Sequence, residues 1–138
     1  MTKPQIKYIK RLYKYALAET YAVLLDKGPD VNIEIEFIQY DTSGLLTIKE
    51  GYAWDGPSGP TIDTKDFMRG SLVHDVFYQL MREKYLDQSW KDYADKLLKR
   101  ICIADGMYNI RAEMVYEGVQ HFAGYASKPQ KPEILTAP

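Results

Sequence analysis

The sequence has a single cysteine, Cys102, and no long apolar run among its 138 residues. One cysteine excludes an internal disulfide, and the apolar neighbours of Cys102 predict a small buried side chain. A membrane-spanning helix needs roughly 20 apolar residues, so no span is predicted. Residues 1–19 lack the apolar core and small-residue cleavage site of a signal peptide. These absences predict a protein of a reducing cytoplasm.

An excess of charge of one sign is also lacking. The formal net charge is −1, from 18 Lys and Arg against 19 Asp and Glu, which does not predict binding to nucleic acid. Basic residues are concentrated near the N-terminus; they are Lys3, Lys7, Lys10, Arg11 and Lys14. The favoured interpretation is that these side chains are simply solvated, and the alternative is that they attract an anionic surface. The length and the 46% hydrophobic content predict one domain over 1–126, followed by a loose proline-containing tail over 127–138.

The first part of the chain, up to about residue 53, has the pattern of strands. Apolar and polar residues alternate over 31–37, and the alternation slips at Ile38, which indicates a bulge or the end of the strand. Turn residues cluster at 28–30 and 41–44, and 45–53 has the pattern of another strand. We therefore predict an antiparallel sheet of about four strands.

The later part of the chain has helical periodicity. An apolar stripe predicts a helix over about 66–84 with Thr64 or Asp66 as its cap; the stripe is Val73, Val76, Phe77 and Leu80. A second helix is predicted over about 90–104, with Ser89 as a candidate cap. After a break at Gly106, a third helix runs to about residue 123, with its apolar face formed by Tyr108, Arg111 or Ala112, Val115, Val119 and Phe122. The predicted fold class is α+β, with an N-terminal antiparallel sheet followed by three α-helices.

A histidine–carboxylate pair with a tyrosine one turn later marks the first helix. His74 falls at the edge of the apolar stripe, where it is expected to be partly desolvated yet reachable. Asp95 has the same angular offset from the stripe of the second helix, and the short connection favours antiparallel packing, so a contact between His74 and Asp95 is permitted. A carboxylate on one imidazole nitrogen fixes the tautomer and makes the other nitrogen a better base. His74, Asp95 and Tyr78 are therefore candidate catalytic residues.

The same motif suggests a cation site. Asp75 can supply a carboxylate oxygen, and the loop before the helix, rich in glycine and proline, can supply carbonyl oxygens. Ca²⁺ takes six to eight such oxygen ligands. Asp75 is thus a candidate metal ligand together with oxygens of the loop at 54–59, which contains Asp55, Gly56 and Ser58, and Ca²⁺ is the expected cofactor. Zinc is not predicted, because two distant histidines and one cysteine give no ligand spacing.

Three segments resemble a phage and prophage family called "domain of unknown function 1353". They are Gly-Tyr-Ala-Trp-Asp-Gly-Pro-Ser-Gly-Pro at 51–60, Ser-Leu-Val-His-Asp-Val-Phe-Tyr at 71–78 and Asp-Tyr-Ala-Asp at 92–95. The resemblance covers roughly residues 45–124. It implies a bacteriophage-encoded viral protein of unknown function, located in the host cytoplasm, with association with the virion as a further option.

A more distant resemblance is to phospholipase A2, in its bacterial and parvoviral forms, and it rests on the His-Asp-x-x-Tyr order at 74–78. It implies that His74 is the base that activates water, that Asp75 binds Ca²⁺, and that Asp95 orients His74. Gly56 and Ser58 would lie in the cation loop. The implied activity is Ca²⁺-assisted hydrolysis of a lipid or another ester, with peripheral contact to a membrane.

Two non-enzymatic interpretations stay open beside this one. In the first, the protein is a phage accessory or virion-associated protein whose His-Asp-Tyr cluster is structural. Asp95 would then be a solvated residue paired with Lys91 or Lys99. In the second, the protein binds a host factor, or another phage protein, through a sheet rich in tyrosine, of which the chain has 12. His121 has no partner evident from the sequence and is predicted to lie at the surface.

Overall fold

The computed structural model describes residues 15–56 and 64–122. These fall into two compact units, the first containing 15–55 and the second containing 56 and 64–122. The predicted tail at 127–138 lies outside the described residues, and the single domain over 1–126 stays a prediction. The elements confirm the predicted α+β class, because antiparallel strands precede three helices.

The first unit is built from six short strands in two antiparallel sheets. The strands are β1 (Tyr15–Ala16), β2 (Tyr21–Leu24), β3 (Ile33–Glu34), β4 (Ile38–Tyr40), β5 (Leu45–Ile48) and β6 (Ala53–Trp54). β1 pairs with β6, and the other four strands form a sheet in the order β2-β5-β4-β3. A four-stranded antiparallel sheet was therefore correctly predicted, whereas the separate β1–β6 ribbon was not.

The two central strands of the larger sheet carry its buried face. Ile38 lies opposite Ile48, and Tyr40 lies opposite Leu46. All four side chains are fully buried, because alternate residues of a strand point to the same face of the sheet. The predicted turn at 41–44 joins these strands, and there an oxygen of Asp41 accepts a hydrogen bond from the backbone of Ser43 at 3.0 Å.

Two predicted strands were too long. The segment 31–37 is not one strand, because the backbone N–H of Ile35 donates to the carbonyl of Ile38 at 2.9 Å and the chain reverses there. The slip at Ile38 therefore marks a hairpin between β3 and β4 rather than a bulge. The predicted strand over 45–53 is also broken, since β5 ends at Ile48 and Gly51 has a φ of +94°, which favours glycine.

The second unit contains the three predicted helices. They are α1 (Lys65–Arg82), α2 (Trp90–Ala104) and α3 (Asn109–Phe122). The bounds of α2 match the prediction, and Gly106, with a φ of +104°, follows its end as expected. Thr64 and Ser89 hold the N-cap positions of α1 and α2, but neither side chain makes a capping hydrogen bond. At Ser89 the side chain bonds to Asp87 instead.

α1 and α2 pack along their predicted stripes. Val76, Phe77 and Leu80 of α1 are fully buried. Gly70 brings the two helices close, because a Cβ atom there would lie 2.9 Å from both the Sγ atom of Cys102 and a methyl carbon of Leu98. Cys102 is a free, buried thiol, as its neighbours in the sequence predicted. Its burial raises the pKa of the thiol to about 12.

The face predicted for α3 was wrong at its beginning. Ala112 is fully buried, and Val115 and Val119 pack against the same core. Tyr108, however, is 85% exposed and precedes the first residue of α3, and Met107 lies in the core instead, at 3% exposure. Within 15–56 and 64–122, no helix is long and apolar enough to cross a membrane.

Candidate functional site

The contact between His74 and Asp95 is present. Nε2 of His74 lies 2.7 Å from Oδ1 of Asp95, which joins α1 to α2. The two helices run in opposite directions, since Gly70 lies against Leu98 and Cys102 while His74 meets Asp95. The equal offsets of His74 and Asp95 from their apolar stripes thus place both side chains on the same side of the helix pair.

Asp95 is the centre of a larger group of hydrogen bonds, which we call the Asp95 network: His74, Tyr78, Lys91, Asp95 and Gln120. Oδ1 of Asp95 accepts from Nε2 of His74 and from the hydroxyl of Tyr78, the latter at 2.6 Å. Oδ2 accepts from Nζ of Lys91 at 2.7 Å and from the amide nitrogen of Gln120 at 2.6 Å. The side chain of Asp95 is 0% exposed. It is therefore not the solvated residue of the alternative interpretation, although it does pair with Lys91.

Asp95 is held in its ionised form. Burial by itself raises the pKa of the Asp95 carboxyl, but hydrogen bonds from His74, Lys91 and Tyr78 outweigh that effect and lower the pKa below its ordinary value of 3.8. An ionised carboxylate can only accept hydrogen bonds. Nε2 of His74 must therefore carry a hydrogen, and the neutral imidazole has its lone pair on Nδ1.

Tyr78 is a fixed hydrogen-bond donor in this network. Its side chain is 3% exposed, and burial together with the bond to Asp95 raises the pKa of its phenol well above the ordinary value. The ring also packs on the imidazole of His74, with 4.1 Å between the ring centres. Tyr78 therefore stays protonated at neutral pH, and it orients both Asp95 and His74.

The second nitrogen of His74 is not sealed from solvent. Nδ1 has no hydrogen-bond partner among the residues that the structure describes. In the same part of the chain, no side-chain nitrogen or oxygen that is sealed from solvent lacks a partner. Nδ1 therefore reaches solvent, although only 7% of the His74 side chain is exposed. This is the geometry of an imidazole that is oriented on one side and free to accept a proton on the other.

The predicted cation ligands lie on α1 and in the segment that precedes it in the chain. Asp75 is half-buried on α1, Asp55 is exposed, and Gly56 is buried with a φ of +78°. Ser58 lies outside the described residues. No group of three or more His, Cys, Asp or Glu side chains within 15–56 and 64–122 could hold a metal ion. The Ca²⁺ ligands therefore stay a prediction.

The sequence did not point to Gln120 as a member of the network. The one feature of the sequence that could have indicated Gln120 is its position directly after Val119, at the edge of the apolar face of α3. The side chain of the neighbouring His121 is 70% exposed, with Nε2 3.6 Å from a carboxylate oxygen of Glu117, and it lies at the surface as predicted. Lys91 was identifiable, because it precedes Asp95 by one helical turn.

The described residues thus define an α+β protein in which a buried carboxylate orients a histidine. The side chains that bond to this carboxylate come from three helices. Comparisons with protein-family models, with curated proteins and with solved structures found no match to this chain.

Proposed function

We propose that the protein is an ester hydrolase of the phospholipase A2 type, with His74 as the general base. The observation that carries this proposal is the imidazole of His74, held by Asp95 at 2.7 Å through Nε2 while Nδ1 reaches solvent. A general base must be oriented and accessible at the same time, and this arrangement meets both conditions.

The chemistry follows from the two nitrogens of the ring. Nδ1 of His74 accepts a proton from a water molecule as the water oxygen forms a bond to the ester carbonyl carbon. The imidazolium that forms is stabilised by the ionised Asp95, which accepts from Nε2 at 2.7 Å throughout. The alcohol then leaves as its bond to the carbonyl carbon breaks, and it takes the proton from Nδ1. Tyr78 keeps Asp95 in place.

We further propose that Ca²⁺ is the cofactor of this hydrolase. Bound beside Asp75 and the loop that contains Asp55, Gly56 and Ser58, the cation would supply positive charge for the oxyanion of the intermediate. Support for this part comes from the order of residues in the sequence, because Asp75 directly follows the base. The proposed substrate is a lipid or another ester, reached by peripheral contact with a membrane.

The resemblance of 51–60, 71–78 and 92–95 to a phage and prophage family supports a viral origin for the protein. We propose that it acts in the host cytoplasm or as part of the virion, where a phage or host protein is its partner.

A structural role is the second candidate, and the burial of the network favours it. Asp95 is 0% exposed and accepts four hydrogen bonds, and His74 is only 7% exposed. A satisfied polar network of this kind also joins helices in non-enzymatic proteins. The protein would then be a phage accessory or virion-associated protein whose His-Asp-Tyr cluster maintains the fold.

Ester hydrolysis by paired histidine variants separates the two candidates. The assay uses phospholipid micelles and a soluble p-nitrophenyl ester, each with Ca²⁺ and with a chelator. His74→Gln should lower the rate by about 10²–10⁴-fold, whereas His121→Gln, which changes the exposed histidine, should not affect it. Equal background rates for the wild type and both variants would exclude the enzyme and leave the structural role.

The cation has its own measurement. If Asp75 contributes to a Ca²⁺ site, Ca²⁺ raises the melting temperature of the wild type by mass action, and Asp75→Asn removes that increase. A melting temperature that is the same with Ca²⁺ and with a chelator would remove the cofactor from the proposal without affecting the role of His74.

A further inference from the structure

The two oxygens of Asp95 have different neighbours. Oδ1 accepts from the two α1 side chains, His74 and Tyr78. Oδ2 accepts from Lys91, on the same helix as Asp95, and from Gln120 of α3. An ionised carboxylate has about four lone-pair sites, so the four donors use all of them. Neither oxygen has a place left for water.

This division matters because a carboxylate turns easily about its terminal bond. The torsion is broad and two-fold, so the side chain itself does not select which oxygen faces the imidazole. Lys91 and Gln120 hold Oδ2 at 2.7 and 2.6 Å, and they do so from two different helices. Two donors from different elements fix the plane of the carboxylate, which one donor cannot do.

The two donors are also tied to each other. Nζ of Lys91 lies 3.5 Å from the backbone carbonyl of Gln120, in addition to its bond with Asp95. Lys91 is 23% exposed, so it brings a compensating charge from the edge of the network to a carboxylate that is 0% exposed. The last turns of α3 are thereby joined to the imidazole of His74 through a single buried side chain.

We infer that Lys91 and Gln120 are positioning residues that fix the Asp95 carboxylate, and through it the imidazole of His74, so that α3 completes the site formed by α1 and α2. Both residues bond to Asp95 and not to His74, so they act through Asp95 and are not catalytic residues. The catalytic consequence of this inference rests on the proposed function, but the positioning itself does not.

The hydrogen on Nε2 of His74 reports the positioning directly. Its exchange with water can be followed by NMR, and assignment is simple because the chain has only two histidines. In the wild type, the proton should exchange slowly, since it is donated to a buried carboxylate. In Lys91→Met and in Gln120→Leu, Oδ2 of Asp95 loses one of its two donors, so the carboxylate is held less firmly. The exchange should then accelerate about tenfold, because one hydrogen bond to a charged group is lost.

The chain offers a matched control on the same helix. Lys96 pairs with Asp92 at 2.8 Å with the same spacing as Lys91 and Asp95, but both side chains are largely exposed. Lys96→Met should therefore leave the exchange of the His74 proton as in the wild type. Lys91→Arg keeps the charge and the donor, and it should restore slow exchange.

Hydrolysis gives the second readout. If the protein is an esterase, Lys91→Met and Gln120→Leu should lower kcat about tenfold with little change in KM, because orientation is lost while substrate binding is not. Faster exchange in a protein without hydrolytic activity would refute the proposed function and retain the positioning role. Exchange as slow as in the wild type in both variants would overturn the inference. If Lys91→Met fails to fold, Gln120→Leu decides alone, since Gln120 is only half-buried.

Discussion

Replacement of Asp95 by alanine tests how much the Asp95 network stabilises the fold. The substitution leaves the Nε2–H of His74 and the hydroxyl of Tyr78 without an acceptor, in side chains that are 7% and 3% exposed. An unsatisfied buried donor costs about 1–3 kcal/mol. Lys91, at 23% exposure, can turn to water and adds little. We therefore expect Asp95→Ala to lower the free energy of unfolding by about 4 kcal/mol, the middle of that range for each of two donors.

Urea denaturation followed by circular dichroism measures this loss. With a slope of about 1–3 kcal/mol per M, the midpoint should fall by about 1–4 M. Asp92→Ala is the control, because Asp92 is 59% exposed and forms the same type of pair with Lys96. It should cost less than about 1 kcal/mol. If Asp95→Ala costs no more than Asp92→Ala, the four hydrogen bonds do not stabilise the fold and the reasoning is wrong.

Three further predictions concern stability and reactivity. The folded-state pKa of Asp95 is below 3.8, so its contribution to stability is present above pH 3.8 and is lost as the pH falls through the folded-state pKa. In thermal melts, the stability advantage of the wild type over Asp95→Asn should therefore shrink below pH 3.8. A difference that stays constant with pH would contradict this. Gly70→Ala should destabilise the fold by about 1 kcal/mol, since overpacking against Cys102 outweighs the gain in helix propensity. Gly118→Ala, with no atom within 4 Å of the new Cβ, should stabilise the fold by a similar amount. Urea midpoints that move in the same direction for both variants would refute the packing argument. Cys102, whose pKa burial raises to about 12, should react with a disulfide reagent only as fast as the protein unfolds, and immediate labelling in native buffer would show that the thiol is exposed.

The helices were predicted well because their signal is local. The stripe of α2 repeats over its own length, and the predicted and observed bounds of this helix, Trp90–Ala104, agree. The strands were predicted less well because alternation reports which face a residue occupies and not the direction of the chain. The alternation over 31–37 runs past Ile35, where the chain begins to reverse, and slips only at Ile38, where hydrogen bonds with Ile35 close the hairpin.

The candidate site divides in the same way. The contact of His74 with Asp95 was predictable, because both lie at equal angles from the apolar stripes of two helices with a short connection. Gln120 was not predictable, because the depth and angle at which α3 packs are absent from its own periodicity. The exposed Tyr108 shows the same limit, since the periodicity of α3 does not reveal that Met107, and not Tyr108, lies in the core.

The order of amino acids alone determined which chemical groups the helices present: an imidazole, a phenol and a carboxylate, each at a fixed angle on its own helix. Only the packing of α1, α2 and α3 decided that Asp95 is sealed from water and receives four donors. The physical reason is that burial and hydrogen bonding to a carboxylate arise from residues far apart in the chain. Those two effects set both its ionised state and the free energy of its contacts.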